Sequence, residues 1–193
     1  IGIKPTPTIG GVGLIKDYKK MITMDFKEID NIILVIGKTE GHIDQSLLSR
    51  IILNENNGPP PEVNLFNEKN NGLTLLNLIE KNFIKSAHDV SLGGIITAIS
   101  KMCIKGDKGI QIKKPKFLIN EIEYFFAEDQ GRYLIEINPK DLKEVSKILD
   151  KNSVHYDEIG KIIDKEMIID QKTKLTIDEL KSYNTNWLKS YMV

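Results

Sequence analysis

The chain has 193 residues, of which 40% are hydrophobic and 28% charged, and this is enough to bury one hydrophobic core. Its 27 basic and 27 acidic residues are interspersed and give a net charge of zero, which argues against a nucleic-acid or anionic-membrane partner. The single cysteine cannot form an internal disulfide and no run of 18 apolar residues occurs, so a cytoplasmic setting is expected.

The chain begins at Ile1, with neither an initiator methionine nor a leader, which indicates a segment of a longer polypeptide. In chain order, its first half predicts strands over residues 9–15 and 31–36, both expected to be buried, and helices over 45–53 and 67–81. Asp44 is the predicted cap of the first helix, and the Asn, Gly and Pro residues of 54–61 end it. The second helix is expected to bury a face formed by Leu73, Leu76, Leu78 and Ile79.

The second half continues this alternation of strands and helices. Strands are predicted over residues 84–87, 110–112, 132–137, 155–163 and 165–169, and helices over 94–104, 141–149 and 177–183. Pro139 suits the start of the helix that follows it. This order predicts a mixed sheet with helices on both faces, in one domain spanning residues 1–193.

The turn between the strand at 84–87 and the helix at 94–104 carries the strongest chemical signal. It places the Asp89 carboxylate, the Ser91 hydroxyl and two glycines, Gly93 and Gly94, at the start of a helix. Backbone amides at such a position suit a phosphate, and a carboxylate suits a divalent cation. In the alternative interpretation, Asp89 or Ser91 only caps the helix, and the glycines let helix and sheet pack closely.

Other candidate sites are weaker. Gly37-Lys38-Thr39 imitates the end of a phosphate-binding P-loop, but Ile32 stands where that motif requires glycine, so the glycines of this loop are interpreted as turn residues. The three histidines are scattered, without the spacing of a zinc site. His88 is expected to hold the end of its strand by a hydrogen bond, and Cys103 to be buried and inert.

The segment from Ser86 to Gly94 resembles the His-Asp-x-Ser-x-Gly-Gly signature of carboxy-terminal domains in the aminoimidazole ribonucleotide synthetase superfamily. Within that superfamily, further segments are similar, in the same order, to the short-form synthetase subunits of the phosphoribosylformylglycinamidine synthase family. These segments are residues 5–15, 37–46, 58–61, 126–132 and 187–192.

The resemblance implies an α+β fold, a three-layer α/β/α domain with a mixed sheet, as the last of four domains of the synthetase. It also implies an ATP-dependent and Mg²⁺-dependent conversion of formylglycinamide ribonucleotide to the amidine in purine biosynthesis. Most catalytic groups would lie in the other domains, so no catalytic residue is expected here and the segment alone is expected to be inactive. The implied partners are the other synthetase domains, a glutaminase subunit and a small bridging subunit.

By position, the resemblance assigns Asp89 to magnesium, and Ser91, Gly93 and Gly94 to the phosphates of a nucleotide. Leu92 stands where the family commonly has an acidic residue, which removes one polar group from the motif. Glu128, Gln130 and Arg132 match a loop that binds ribonucleotide in related domains, but Asp129 replaces a serine, and a structural loop is the favoured interpretation.

Two alternatives remain open. The chain could belong to another synthetase of the superfamily, of the selenophosphate synthetase, thiamine-phosphate kinase or hydrogenase-maturation type. It could also be a structural and interaction domain that binds no ligand of its own. Bound nucleotide would distinguish this last alternative from the two enzyme interpretations.

Overall fold

The structure is a computed structural model that describes residues 8–113 and 119–192. The Pro-Thr-Pro part of the first similar segment, residues 5–7, lies outside the described residues. Among the described residues, no helix is long and apolar enough to cross a membrane.

A seven-stranded sheet forms the middle of the domain, in the order β2-β4-β1-β5-β3-β6-β7. Its strands are β1 (Ile32–Ile36), β2 (Ile84–Asp89), β3 (Gly109–Ile112), β4 (Tyr133–Ile137), β5 (Tyr156–Ile163), β6 (Glu166–Ile169) and β7 (Thr173–Thr176). Neighbouring strands are antiparallel except β3 and β6, which are parallel, so the sheet is mixed.

The described residues form five α-helices that pack against the sheet: α1 (Leu65–Glu80), α2 (Gly94–Gly106), α3 (Glu121–Phe126), α4 (Leu142–Lys151) and α5 (Ile177–Tyr191). Several of these helices begin with an N-cap residue. Its side chain accepts a hydrogen bond from a backbone N–H of the first turn that has no partner within the helix. Asn64 caps α1, Asn120 caps α3, and Thr176 forms a reciprocal capping box with Glu179 at α5.

The core consists of two hydrophobic clusters, one on each face of the sheet. Because β1 is an interior strand, paired with β4 on one side and β5 on the other, all five of its side chains are buried, and they alternate between the clusters. Ile33 and Val35 pack with residues of α2, α3 and α5. Leu34 and Ile36 pack on the other face with residues of α1 and α4. The predicted three-layer α/β/α arrangement is therefore confirmed.

Three predictions in the first half of the chain were wrong. Residues 9–15 form no strand, and Ile9 and Val12 are 92% and 105% exposed, because no described strand pairs with this segment. The helix predicted over 45–53 is reduced to a single π-helical turn, Leu48–Ile52, since Gln45 has a left-handed backbone (φ 60°) that interrupts a helix begun at Asp44.

The third error concerns the buried face of α1. Leu75 and Leu78 point into the core together with Asn71 and Thr74, whereas Leu73 and Leu76 are more than half exposed. The helix buries two polar residues on its inner side, which a prediction from apolar spacing cannot anticipate. The other predicted strands and helices are present. Helix α3 and strand β7 were not predicted, and α5 extends eight residues beyond its predicted end at 183.

Candidate functional site

The turn between β2 and α2 lies where the sequence predicted it. The alternative interpretation required Asp89 or Ser91 to cap α2, and this is not observed. Gly93 is the N-cap residue of α2 and, as a glycine, makes no side-chain cap hydrogen bond. Neither Asp89 nor Ser91 therefore caps the helix. Gly93 and Gly94 have φ angles of +82° and +71°, a region in which glycine is favoured because other side chains are strained there.

Asp89 lies at the exposed end of β2, where its side chain is 63% exposed. One carboxylate oxygen is 3.1 Å from Nδ1 of His88, the preceding residue, so this contact does not tie the strand end to another element. The Nε2 atom of His88 is buried and has no hydrogen-bond partner among the described residues. Asp89 borders an open groove of about 650 Å³ that also contains Thr23, Asp25 and Lys105.

A magnesium ion would find the exposed Asp89 carboxylate at this position, in a groove that Asp25 also lines. The described residues contain no group of three or more His, Cys, Asp or Glu side chains that could hold a metal ion. Mg²⁺ commonly keeps several waters and binds through one or two carboxylates together with substrate phosphates. Asp89 therefore fits a metal that arrives with a nucleotide, and it does not fit a metal held by protein ligands alone.

The backbone amides of Gly93 and Gly94 already have partners. Gly93 N–H donates to Oε1 of Glu128 at 2.8 Å, and Gly94 N–H donates to the carbonyl oxygen of Ser91 at 3.0 Å. The same Glu128 oxygen accepts the N–H of Leu47 at 2.8 Å. A carboxylate thus occupies the position that an anion takes at a helix N-terminus. A phosphate at these amides would have to displace Glu128.

The two glycines are also required by packing. A Cβ atom on Gly94 would lie 2.6 Å from the carbonyl oxygen of Phe125 and 2.7 Å from that of Ala127. A Cβ atom on Gly93 would lie 2.2 Å from Oγ1 of Thr97. These contacts support the alternative in which the glycines allow close packing, of α2 against the end of α3 at Gly94 and within the first turn of α2 at Gly93.

The loop before β4 is held by buried polar bonds. Arg132 is 1% exposed and donates to the carbonyl oxygens of Asp129 at 3.1 Å and Ala127 at 2.7 Å, and to Oγ1 of Thr39 at 3.0 Å. Burial lowers the pKa of the Arg132 guanidinium, and the nearby Asp129 carboxylate opposes that shift. With all these donors used inside the protein, Arg132 acts as a structural residue.

Asp129 joins this loop to the turn after β1. Its carboxylate accepts the backbone N–H groups of Glu40, Gly41 and His42 at 3.0, 3.1 and 3.2 Å. The aspartate that replaces the family's serine therefore fixes the 37–42 turn against the start of β4. This agrees with the structural interpretation of the loop.

Residues 37–42 and 129–131 line a second, polar pocket of about 700 Å³, together with the N-terminal part of α1. Gln130 is exposed and borders this pocket, as do Lys38, His42, Glu68 and His155. Each of the two loops was recognisable in the sequence, but their meeting at one pocket was not predicted. Glu68 and His155 were not predicted to lie at this pocket, because they are far from both loops in the chain and belong to no motif.

Cys103 is fully buried on α2, and burial raises the pKa of its thiol to about 12. The predicted burial of this cysteine is confirmed, and the raised pKa makes the thiolate form almost absent at neutral pH, so its low reactivity stays a prediction.

Comparison with known proteins confirms the resemblance read from the motifs. A family model described as "AIR synthase related protein, C-terminal domain" matches residues 28–171. The chain is 69% identical over 192 residues to the phosphoribosylformylglycinamidine synthase subunit PurL of Pelagibacter ubique, covering 100% of this chain and 26% of that protein. The chain thus spans about a quarter of the length of the curated relatives it matches.

Solved structures show the same fold. Thermotoga maritima PurL complexed with FGAR has a TM-score of 0.71 and 16% identity, with 84% of this chain and 29% of that chain covered. The same protein complexed with ATP has a TM-score of 0.65 and 16% identity, with 84% and 27% covered.

Proposed function

This chain belongs to the family of AIR synthase related proteins, as their C-terminal domain, and from this premise we propose that it is part of a phosphoribosylformylglycinamidine synthase. The observation that carries the proposal is the 69% identity over the entire chain to a PurL subunit of which it covers only 26%. The domain would be the last of four in the synthetase polypeptide, and the full polypeptide would be a ligase of de novo purine biosynthesis.

The proposed reaction converts formylglycinamide ribonucleotide to formylglycinamidine ribonucleotide. The amide oxygen of the substrate attacks the γ-phosphate of ATP, and ADP leaves. Ammonia then attacks the activated carbon, and phosphate departs with the former amide oxygen. These reactants have to be held together in one site, and we place most of that site in the three quarters of the polypeptide outside this chain.

Within this domain, Asp89 and Ser91 are the residues proposed to bind a magnesium nucleotide. Support comes from the exposed Asp89 carboxylate at the end of β2, next to a groove open enough to admit a ligand. Magnesium would neutralise phosphate charge there. Gly93 and Gly94 belong to the same proposal, but as donors to phosphate they require Glu128 and the turn to move, because both amides are already bonded.

A second candidate function is favoured by those occupied amides. If the carboxylate of Glu128 takes the place of a phosphate, the domain packs against the rest of the synthetase without binding a nucleotide itself. The same enzyme activity would then belong to the full polypeptide, and this domain would be structural.

The proposed partners are a glutaminase subunit, which would supply ammonia, and a small bridging subunit, in the cytoplasm. Support comes from the state of Cys103, the chain's single cysteine, which is buried with a raised pKa and cannot act as a glutaminase nucleophile. Glutamine hydrolysis would therefore take place elsewhere.

Complementation tests the proposal. The full-length gene that encodes this segment should restore growth without added purine to a bacterium lacking its own PurL, and a gene truncated before this domain should not. Failure of the full-length gene, despite normal soluble expression, would reject the assignment.

A further inference from the structure

Helix α5 has two halves with different surroundings. In its first turn, Ile177 is 1% exposed and Leu180 9% exposed, and both belong to the cluster that contains α2. The capping box between Thr176 and Glu179 fixes this end of the helix. From residue 182 onward, the helix continues with exposed side chains wherever the side chain is described. The first half anchors the second, which projects from the domain.

The projecting half carries a stripe of large apolar side chains, which we call the aromatic stripe: Tyr183, Trp187, Leu188 and Tyr191. They are 73%, 61%, 51% and 80% exposed. Tyr183, Trp187 and Tyr191 are spaced four residues apart and therefore lie along one side of the helix. The rings of Trp187 and Tyr191 contact each other, with centroids 6.4 Å apart.

The residues between them are small and polar. Asn186 donates to Oγ of Ser182 at 2.7 Å, and Thr185 donates to the carbonyl oxygen of Lys181 at 2.9 Å. These bonds are local, and they leave the aromatic stripe as the only strongly apolar side of this half among its described side chains. A helical segment this short is marginal in water unless its apolar face packs against something.

We propose that the aromatic stripe docks into an apolar groove on the remaining part of the same longer polypeptide. Tryptophan and tyrosine are the residues that dominate packed interfaces, and anchors at i, i+4 and i+8 are typical of a helix lying in a groove. This inference rests on the proposed function only in taking the chain to be one piece of a longer synthetase.

Two observations favour this occupant. The 69% identity runs over the whole chain, α5 included, yet covers 26% of the relative, so most of the polypeptide lies outside this segment and is tethered to it. Tethering raises the effective concentration of a partner surface to about the millimolar range. Residues 182–192 contain one charged residue, whereas helices that bind membrane surfaces have a polar face rich in Lys and Arg.

Hydroxyl-radical footprinting of the full-length protein tests the docking without measuring activity. We expect Trp187 and Tyr191 to be oxidised about tenfold more slowly in the native full-length protein than in denaturant, since a docked stripe excludes water. Oxidation of both residues at nearly the denatured rate would overturn the proposal, even if the enzyme is fully active. The proposal would also be overturned if the protein forms a dimer and the protection is lost when dilution dissociates that dimer. The stripe would then dock against a second copy of the chain.

A variant pair identifies the groove. Trp187→Ala with Tyr191→Ala in the full-length protein should increase oxidation of peptides outside this chain, whereas Ser182→Ala, in the polar part of the same helix, should not. If the double variant does not fold, Trp187→Phe should give a smaller increase in the same peptides. An unchanged footprint outside this chain in the folded variants would contradict the proposal.

Discussion

The Oε1 atom of Glu128 lies 2.8 Å from the backbone nitrogen of Gly93 and accepts its N–H at the start of α2. The same oxygen accepts the N–H of Leu47, so one carboxylate joins three segments that are far apart in the chain. In the motif most suggestive of phosphate binding, the Gly93 amide is thus already bonded to the carboxylate of Glu128. Any nucleotide at this turn has to compete with Glu128 for the Gly93 amide.

Glu128→Ala should therefore destabilise the domain. It leaves the amides of Leu47 and Gly93 without their acceptor, and each unsatisfied amide costs about 1–3 kcal/mol where water cannot replace the bond. Glu128→Gln keeps an acceptor oxygen and should lose much less. Urea unfolding of the two variants measures the difference, and equal stability of Glu128→Ala and wild type would show that the contact has no structural role.

The two glycines of the turn should respond differently to alanine. Gly94→Ala places a methyl group against the backbone carbonyl oxygens of Phe125 and Ala127, which cannot rotate away, so a loss of roughly 2 kcal/mol or more is expected. Gly93→Ala meets the Thr97 hydroxyl instead. Adding Thr97→Ala should recover part of the loss at Gly93 and none at Gly94. Equal recovery at both positions in thermal unfolding would contradict this account of the packing.

Asp107 should make stability depend on pH in the acid range. Its ion pairs with Lys165 and Lys181 lower its pKa from 3.8 to about 2. Because the pKa is lower in the folded state, the ionised carboxylate stabilises the fold above about pH 4, and this contribution is lost as the pH falls from 4 towards 2. In the Asp107→Asn variant, that part of the pH dependence should be absent.

Urea unfolding of wild type and Asp107→Asn between pH 2.5 and 6 measures this effect. The two stability curves should approach each other at the acid end, separate as the pH rises towards 4 and keep a constant separation above it, and added salt should reduce the separation because all three side chains are at the surface. Parallel curves across the range would show that the ion pairs do not contribute.

Cys103 should be unreactive until the domain unfolds. With a pKa of about 12, the native thiol is almost entirely protonated at pH 8, and the side chain is also inaccessible. Labelling with a chromogenic disulfide reagent should therefore follow unfolding in denaturant. Rapid stoichiometric labelling of the native protein would contradict the buried position of this residue.

Much of the fold was predictable because its signals are local. The apolar run of β1, and strands and helices bounded by Gly, Pro or capping residues, appear where the sequence placed them. The errors arise where tertiary context decides. Residues 9–15 have the composition of a buried strand but find no described strand to pair with, and α1 buries Asn71 and Thr74 in place of two of its leucines.

The strand, turn and helix that form the candidate site were predictable from the sequence. The hydrogen bonds that its groups make were predictable only in part. No local sequence pattern indicates that Glu128 accepts the N–H of Gly93, since the two residues are 35 positions apart. The meeting of the 37–42 turn with Asp129 is hidden for the same reason, because long-range contacts leave no periodic pattern in a single sequence.

The central claim is that this chain is one domain of a synthetase whose chemistry requires the rest of the polypeptide. The most direct test compares the full-length protein with the 193-residue chain in an assay containing ATP, formylglycinamide ribonucleotide and ammonium salt. We predict amidine formation by the full-length protein, with a rate that rises above pH 7 as more ammonia is unprotonated, and none by the chain alone. Multiple turnovers by the isolated chain, or no amidine from the folded full-length protein, would contradict the claim.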